Sequence, residues 1–259
     1  MTRADCDTRP FRVLDLFSGI GGFSLGLERT GGFKTVAFCE IDPFCRRVLA
    51  KHWPGVPIYN DIRELTAERL RADGIVPDVL CGGFPCQDIS VAGKGAGIDG
   101  RRSGLWREYA RLIGEIRPRL VIVENVAALL VRGLNRVLGD LAALGLDAEW
   151  HCIPASAIGA PHRRDRIWIV AYTNSYRNPC LGSPKPSFAR SENFKWWRGS
   201  LDELGTGDGV QRHHSYAGIV REVDGIPDWT YRMRALGNAV VPQIPELIGR
   251  AILSAERCV

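Results

Sequence analysis

Short apolar runs alternate with amphipathic segments over residues 13–172, and this alternation constrains the fold more than any other feature of the sequence. The runs predict strands because each is short and ends at a turn or a polar residue. The spacing of apolar residues between them predicts helices near residues 23–29, from Pro43 onward and over 130–141. The predicted strands are residues 13–17, 36–39, 79–81, 120–123, 149–153 and 167–172. Such alternation is typical of an α/β fold with a Rossmann-like, mostly parallel sheet and helices on both faces.

The alternation stops at Thr173. From there to Trp229 the chain is rich in Asn, Ser, Pro, Gly and Arg, and apolar periodicity is lost. Periodicity returns in residues 240–257, which predict a closing helix. We therefore expect one large α/β domain, residues 1–172 with 235–259, interrupted by a small irregular insert, residues 173–234.

Composition sets outer limits on the function. The chain has 259 residues, 45% of them hydrophobic and 24% charged, which suits a buried core and argues against disorder. The formal net charge of +5 weakly favours a polyanionic partner. The eight cysteines include no Cys-x-x-Cys spacing, which predicts buried free thiols and no metal site. No apolar run has the length of a membrane span and the N-terminus lacks a signal peptide, so we expect a cytoplasmic protein.

A glycine turn, Asp-Leu-Phe-Ser-Gly-Ile-Gly-Gly at residues 15–22, joins the first predicted strand to the first predicted helix. Glycine lets backbone approach a bound cofactor closely, and a helix N-terminus favours polar or anionic groups. Glu40 ends the next predicted strand, where an acid can accept hydrogen bonds from ribose hydroxyls. These features suit a nicotinamide or an adenosylmethionine cofactor alike. A tight turn that binds no ligand is the alternative.

Two further candidate groups follow predicted strands, which is where ligands bind in open α/β sheets. Cys86 lies in Gly-Gly-Phe-Pro-Cys-Gln at residues 82–87, and Glu124 opens Glu-Asn-Val after the run at residues 120–123. Each has an ordinary structural alternative. Cysteine is often a buried structural thiol, and an acid here could stabilise the N-terminus of a helix.

One further segment precedes the last predicted strand, and another precedes the closing helix. Arg164 and Arg166 belong to a basic cluster that could grip phosphate or polarise a base carbonyl, although most charge runs are solvated turns. Residues 235–240, Ala-Leu-Gly-Asn-Ala-Val, precede the closing helix. Their Asn238 could hydrogen-bond near a cofactor, or the segment could be a capping turn.

In chain order, these segments resemble the carbon-5 cytosine DNA methyltransferase family over roughly residues 11–172 and 235–259. The matching motifs are Asp-Leu-Phe-Ser-Gly-x-Gly-Gly, Pro-Cys-Gln, Glu-Asn-Val, Arg-x-Arg and Gly-Asn-Ala-Val. The resemblance implies a class I methyltransferase domain that binds S-adenosyl-L-methionine and methylates a flipped-out cytosine in double-stranded DNA. Residues 173–234 would then be a small target recognition region. It further implies a monomer of restriction–modification or phage type, associated with the nucleoid and without metal or membrane.

The resemblance also assigns roles to residues of this chain. Cys86 matches the thiolate that adds to carbon 6 of cytosine, and Glu124 matches the acid that hydrogen-bonds ring nitrogen 3. Arg164 and Arg166 match the paired arginines of the same catalytic site. The positions that match the cofactor pocket are Phe17, Gly19, Gly21, Glu40, Asp61, Pro85, Asn238 and Val240.

The sequence departs from the family pattern in places. His162 stands where the family often has glutamine, residues 224–228 do not match its longer arginine-rich motif, and the insert is short. A basic-aromatic cluster in the insert, Lys-Trp-Trp-Arg at residues 195–198, predicts either DNA contact or a local hydrophobic knot. Three other functions stay open: an RNA-directed methyltransferase, a catalytically weak DNA-binding protein, and a nicotinamide oxidoreductase. The last leaves Pro-Cys-Gln and Glu-Asn-Val without a role.

Overall fold

A computed structural model of the chain describes residues 9–85, 105–159, 164–173 and 237–257. The strands are β1 Phe11–Leu16, β2 Phe33–Cys39, β3 Ile58–Tyr59, β4 Val79–Gly83, β5 Leu120–Val126, β6 Leu146–Pro154 and β7 Asp165–Thr173. The helices are α1 Gly22–Glu28, α2 Pro43–His52, α3 Ala67–Ala72, α4 Leu105–Ile116, α5 Leu129–Arg132, α6 Leu134–Ala143 and α7 Gln243–Arg257. A short 3-10 helix spans Ala155–Ile158.

The strands form one seven-stranded sheet in the order β3-β2-β1-β4-β5-β7-β6. Strands β1 to β5 pair in parallel, whereas β7 runs antiparallel to both β5 and β6. The carboxyl end of β5 therefore meets the beginning of β7, and Val126 pairs with Arg166. The mostly parallel α/β fold predicted from the sequence is confirmed.

Helices cover both faces of the sheet because successive residues of a strand point to opposite faces. In β1, Val13 packs into a core cluster that includes residues of α1 and α7. Leu14 and Leu16 pack into a second cluster that includes residues of α3, α4 and α6. This two-sided burial agrees with the near-continuous apolar runs in the sequence.

Glycine allows α1 and α7 to approach one another closely. A Cβ atom on Gly26 would overlap the Pro242 carbonyl oxygen and would lie 2.9 Å from Cβ of Pro245. A Cβ on Gly22 would overlap the carbonyl oxygen of Val240. Glycine inside a helix costs about 1 kcal/mol relative to alanine, so close packing explains its presence here. The contact also brings Val240 to the beginning of α1.

We expect Gly26→Ala to destabilise the protein by about 1–3 kcal/mol, because the new methyl group overpacks this contact. Gly139→Ala is the matched control: Gly139 lies inside α6, and nothing lies within 4 Å of its added Cβ. Its better helix propensity predicts a gain of about 1 kcal/mol. Urea unfolding of both variants measures the difference. Equal stability of the two variants would contradict the close-packing explanation.

The structure differs from the sequence prediction in several places, and β3 and α3 are among the elements that were not predicted. The helix predicted over residues 130–141 is divided at Gly133 into α5 and α6. Strand β5 continues to Val126 because it pairs with β7 along its whole length, so Glu124 lies within a strand and the helix-acid alternative is wrong. Helix α4 was not predicted, although its buried residues Trp106, Tyr109 and Ile113 have helical spacing.

The cysteines within the described ranges are free thiols, as predicted. Cys39, Cys45 and Cys81 are buried, whereas Cys152 on β6 is exposed. Among the helices in those ranges, none is long and apolar enough to span a bilayer.

Candidate active site

The carboxyl edge of the sheet collects most of the predicted site residues that the structure describes. Phe17 and Gly19 follow β1, Glu40 follows β2 and Pro85 follows β4. Glu124 lies near the carboxyl end of β5, which neighbours β4 in the sheet. Parallel strands end at the same edge, which is the usual ligand-binding edge of an open α/β sheet.

Glu40 joins the loops that follow β1 and β2. Its Oε2 accepts a hydrogen bond from the Gly19 amide at 2.7 Å, and its Oε1 accepts one from the Asp42 amide at 2.8 Å. Burial raises the pKa of Glu40, while these amide hydrogen bonds oppose the rise. A carboxylate can accept about four hydrogen bonds, so ribose hydroxyls can bind beside the two amides.

The turn between β1 and α1 has a backbone that only a few residue types accept. Gly19 and Gly21 have φ values of +54° and +87°, and nothing lies within 4 Å of a Cβ built on Gly19. Phe17 adopts a φ of +51°, a strained value for a residue with a side chain. The Ser18 hydroxyl donates to the Asp15 carbonyl at 2.6 Å and so holds the turn. The open space at Gly19 suits a bound cofactor.

Glu124 is a partly buried acid that faces both β4 and β7. It is in register with Gly83, and a Cβ on Gly83 would lie only 2.6 Å from Glu124 Oε2. A side chain at this position of β4 would therefore displace the carboxylate from the place it occupies beside Gly83. On the other side, Arg166 Nε lies 2.8 Å from Glu124 Oε1.

The charge state of Glu124 follows from two opposing effects. Burial raises its pKa, and the positive charges of Arg166 and Arg164 lower it, with the rise prevailing. The side chain is 13% exposed. Glu124 therefore keeps a proton to a higher pH than an ordinary glutamate does, which suits an acid that hydrogen-bonds a ring nitrogen.

Arg164 and Arg166 stand beside this acid because β7 begins at the edge where β5 ends. Burial and the neighbouring charge of Arg166 lower the pKa of Arg164, and Glu124 opposes this fall. Arg164 has a φ of +32°, which is unusual for a side-chain-bearing residue. Since Arg166 pairs with Glu124, a fully solvated basic turn does not describe it.

A glycine turn, a partly buried acid and an arginine pair thus share one sheet edge in the order in which the sequence motifs occur. A sequence model of the C-5 cytosine-specific DNA methylase family matches residues 11–215. The chain belongs to the C-5 cytosine-specific DNA methylase family.

Relatives of this methylase family resemble the chain over much of its length. A Type II methyltransferase of Bacillus subtilis is 35% identical over 216 residues, which is 75% of this chain and 53% of that protein. A Type II methyltransferase of Herpetosiphon aurantiacus is 39% identical over 166 residues, covering 62% of this chain and 37% of the relative. The chain thus spans about half the length, or less, of these curated relatives.

A solved structure shares the fold. It is a DNA modification methyltransferase candidate encoded within an Escherichia coli prophage. The match has a TM-score of 0.54 with 28% identity and covers 64% of this chain and 47% of that one. The family membership and this structure agree with a methyltransferase-type α/β domain.

The remaining cofactor positions of the family motifs fall in different surroundings. Asp61 follows β3, and its Oδ1 accepts a hydrogen bond from Arg63 Nε at 2.9 Å, which lowers the pKa of Asp61. Val240 contacts the beginning of α1 through Gly22, whereas Asn238 is exposed. The positions outside the described residues are Cys86, His162, the cluster at residues 195–198 and nearly all of the insert.

Sequence reasoning did not single out Asn125, although it lies in the Glu-Asn-Val motif. Asn125 is 2% exposed, and its Nδ2 donates to the Phe84 carbonyl at 3.0 Å. Its Oδ1 accepts from the Val126 amide at 2.9 Å. This amide therefore ties the end of β5 to the segment that leads into Pro85. The signal in the sequence that could have identified Asn125 is a short polar side chain at the end of an apolar strand.

Within the described ranges, no group of three or more His, Cys, Asp or Glu side chains could hold a metal ion.

Proposed function

We propose that this chain transfers a methyl group from S-adenosyl-L-methionine to carbon 5 of a flipped-out cytosine in double-stranded DNA, through a covalent adduct at Cys86. The observation that carries the proposal is the partly buried Glu124 carboxyl, 2.8 Å from Arg166 and in register with Gly83 on the strand that leads to Pro85. Cys86 directly follows Pro85 in the sequence. An acid and a thiol are the two groups that this chemistry requires.

In the proposed reaction, Cys86 forms a covalent bond to the base and Glu124 forms a hydrogen bond to it. Carbon 5 of cytosine is too electron-poor to attack a methyl group. When the Cys86 thiolate bonds to carbon 6, the ring becomes an enamine and carbon 5 becomes nucleophilic. Glu124 hydrogen-bonds ring nitrogen 3 and relieves the negative charge that builds there. Carbon 5 then gains the methyl group, with adenosylhomocysteine as the leaving group. Carbon 5 loses its proton to solvent, the electron pair re-forms the double bond between carbons 5 and 6, and the bond from carbon 6 to sulfur breaks to release the Cys86 thiolate.

Arg166 orients the acid, and Arg164 beside it supplies a further positive charge for a ring carbonyl or a DNA phosphate. The Arg166–Glu124 pair fixes one carboxyl oxygen, and in this proposal the other oxygen, beside Gly83, hydrogen-bonds the base. This chemistry cannot reach a stacked base, so the target cytosine must leave the duplex.

The residues at the sheet edge fit the methyl donor. When bound, S-adenosyl-L-methionine supplies an electrophilic methyl group. Glu40 would accept hydrogen bonds from its ribose hydroxyls, and the glycine turn leaves open space at Gly19 for it. The other positions that we propose line the pocket are Phe17, Gly21, Asp61, Pro85, Asn238 and Val240.

The relatives suggest the biological setting. Those described above are named Type II methyltransferases. We propose that this chain is a monomeric modification enzyme of the restriction–modification or phage type that acts in the cytoplasm. Its catalytic domain would comprise residues 1–172 and 235–259, with target recognition by residues 173–234.

We expect Cys86→Ser to abolish methyl transfer, because a serine hydroxyl is a far weaker nucleophile than a thiolate. Duplex DNA carrying 5-fluorocytosine should trap a covalent adduct with the wild-type protein and none with the variant. The affinity for adenosylhomocysteine should stay within about twofold, since the thiol is not a cofactor ligand in this proposal.

Cys152→Ser is the matched control, because Cys152 is an exposed thiol on β6. It should form the adduct at the wild-type rate. Methyl transfer by Cys86→Ser at a near wild-type rate would overturn the covalent mechanism. Transfer RNA offered as a competing substrate tests the RNA-directed alternative in the same assay.

A further inference from the structure

Four aromatic rings form a continuous row beneath the carboxyl edge of the sheet. Phe17 stacks on Tyr109 with ring centroids 6.3 Å apart, and Tyr109 stacks on Trp106 at 5.6 Å. Trp106 then meets Phe84 at 5.3 Å with a tilt of 47°. The row joins the turn after β1 to the segment after β4, and its two central rings lie on α4.

A hydrogen bond to a neighbouring helix fixes the orientation of Trp106. Its indole Nε1 donates to Asp140 Oδ2 on α6 at 2.9 Å. The residue is 3% exposed, so the N–H needs a partner within the protein. Trp106 differs in this respect from Trp168, whose buried Nε1 has no hydrogen-bond partner among the described residues. The Asp140 bond therefore holds the indole plane against Phe84.

Phe84 has few ways to move when Trp106 is in place. It is 2% exposed, and its carbonyl accepts the Asn125 hydrogen bond. The ring is held by α4 and the backbone by β5. Pro85 and then Cys86 follow in the chain. Phe84 is therefore held in place two residues before Cys86 in the sequence.

We infer that Trp106, fixed by Asp140, is a positioning residue for the nucleophile: it holds Phe84, from which the chain continues through Pro85 to Cys86. This inference rests on the proposed function. Trp106 itself touches no reacting atom. Because a displacement of about 1 Å can slow a reaction about 100-fold, a small shift at Phe84 is enough to be measured.

Four variants test this role. Trp106→Phe removes the indole N–H and one ring, and Asp140→Leu removes the acceptor from a side chain that is 29% exposed. Asp140→Asn keeps an acceptor oxygen. Tyr109→Phe is the matched control on the same helix, because it loses a 3.3 Å hydrogen bond to the Ile122 carbonyl but keeps its ring beside Trp106.

The measurement is the single-turnover rate of adduct formation on a duplex carrying 5-fluorocytosine, together with adenosylhomocysteine affinity and thermal midpoint. Trp106→Phe and Asp140→Leu should slow adduct formation about 10- to 100-fold while the cofactor affinity changes less than about threefold. Asp140→Asn and Tyr109→Phe should stay within about threefold of wild type in both.

Two results overturn the inference. One is adduct formation by Trp106→Phe and Asp140→Leu at the wild-type rate. The other is a fall in the rate of adduct formation that tracks the fall in thermal midpoint to the same extent in Tyr109→Phe and Trp106→Phe. That result would indicate an effect of packing alone. If Trp106→Phe does not fold, Asp140→Leu against Asp140→Asn decides the question. A wild-type protein that forms no adduct removes the proposed function, and this inference with it.

Discussion

Replacing Glu124 by Gln should lower the rate of methyl transfer by about 100- to 10,000-fold, the range typical of a lost general acid. The substitution keeps the shape of the side chain beside Gly83 but removes its acidic proton. Gln is also a weaker acceptor for Arg166, whose Nε lies 2.8 Å from the native carboxylate. Methyl transfer from radiolabelled S-adenosyl-L-methionine to duplex DNA measures the effect, and adenosylhomocysteine affinity should change little.

Glu108→Gln is the matched control for this experiment. Glu108 also accepts an arginine Nε at 2.8 Å, from Arg111, but it lies on α4 and not at the carboxyl edge of the sheet. Its replacement should leave the rate within about twofold of wild type, since this ion pair lies on α4, away from the proposed reacting groups. Equal rates for the two variants would remove Glu124 from the mechanism.

The same acid should shape the pH profile. Burial raises the pKa of Glu124, so the group stays protonated above the ordinary glutamate range. If the protonated form is the active one, kcat/KM falls as the pH rises through that pKa. The Glu124→Gln profile should lack this alkaline decline.

Replacing Asp15 by Asn should stabilise the protein at pH 8 by several kcal/mol and make its stability less dependent on pH. Asp15 is fully buried on β1, and its Oδ2 accepts the Ser24 hydroxyl at 2.7 Å. Its Oδ1 has no hydrogen-bond partner among the described residues. Burial raises the pKa of Asp15 to about 8, and the hydrogen bond from Ser24 opposes that rise.

The direction in which stability changes with pH follows from the proton that Asp15 keeps when the protein folds. The unfolded chain releases this proton near pH 4, whereas the folded protein releases it near pH 8. Stability from this group therefore falls as the pH rises between those values, by about 1.4 kcal/mol per pH unit, and is level above them. Asn does not titrate, so the stability of the variant does not show this fall with rising pH. At pH 5 the variant should be equal to wild type or less stable, because its amide also lacks a second partner.

Urea unfolding at pH 5, 6, 7 and 8 checks this expectation. Asp73→Asn is the control of opposite sign, because hydrogen bonds with Arg69 and Tyr59 lower the pKa of Asp73. Its replacement should not stabilise the protein at pH 8. Parallel pH curves for wild type and Asp15→Asn would show that Asp15 is ionised in the folded protein.

Local pattern was enough to predict much of the fold. The apolar runs of β1 and β4 and the Asp-Pro start of α2 are visible in the sequence, because they depend on neighbours along the chain. The same is true of the glycine turn, whose positive φ values at Gly19 and Gly21 favour glycine. Motif order then led to the methylase family, which the match over residues 11–215 confirms.

The environment of the acid was decided by tertiary structure alone. Glu124 was expected after a strand, yet it lies within β5, because the antiparallel partner β7 extends the pairing to Val126. Its raised pKa, its pairing with Arg166 and its close approach to Gly83 all come from strands distant in the sequence. Likewise, Trp106 and Phe84 flank a long segment and meet only in the fold.

There is a physical reason why the sequence predicts some of these features and not others. Backbone conformation is set mainly by a residue and its near neighbours, so strands, turns and caps leave a periodic signal in the sequence. Burial, ion pairing and ring contacts depend on which strands lie side by side and in which direction, and no local period records that order. The sequence alone therefore determined the parallel α/β scaffold and the identity of its motifs. The tertiary structure decided how Glu124 is protonated and paired, because that depends on solvent exclusion by β4 and β7 together.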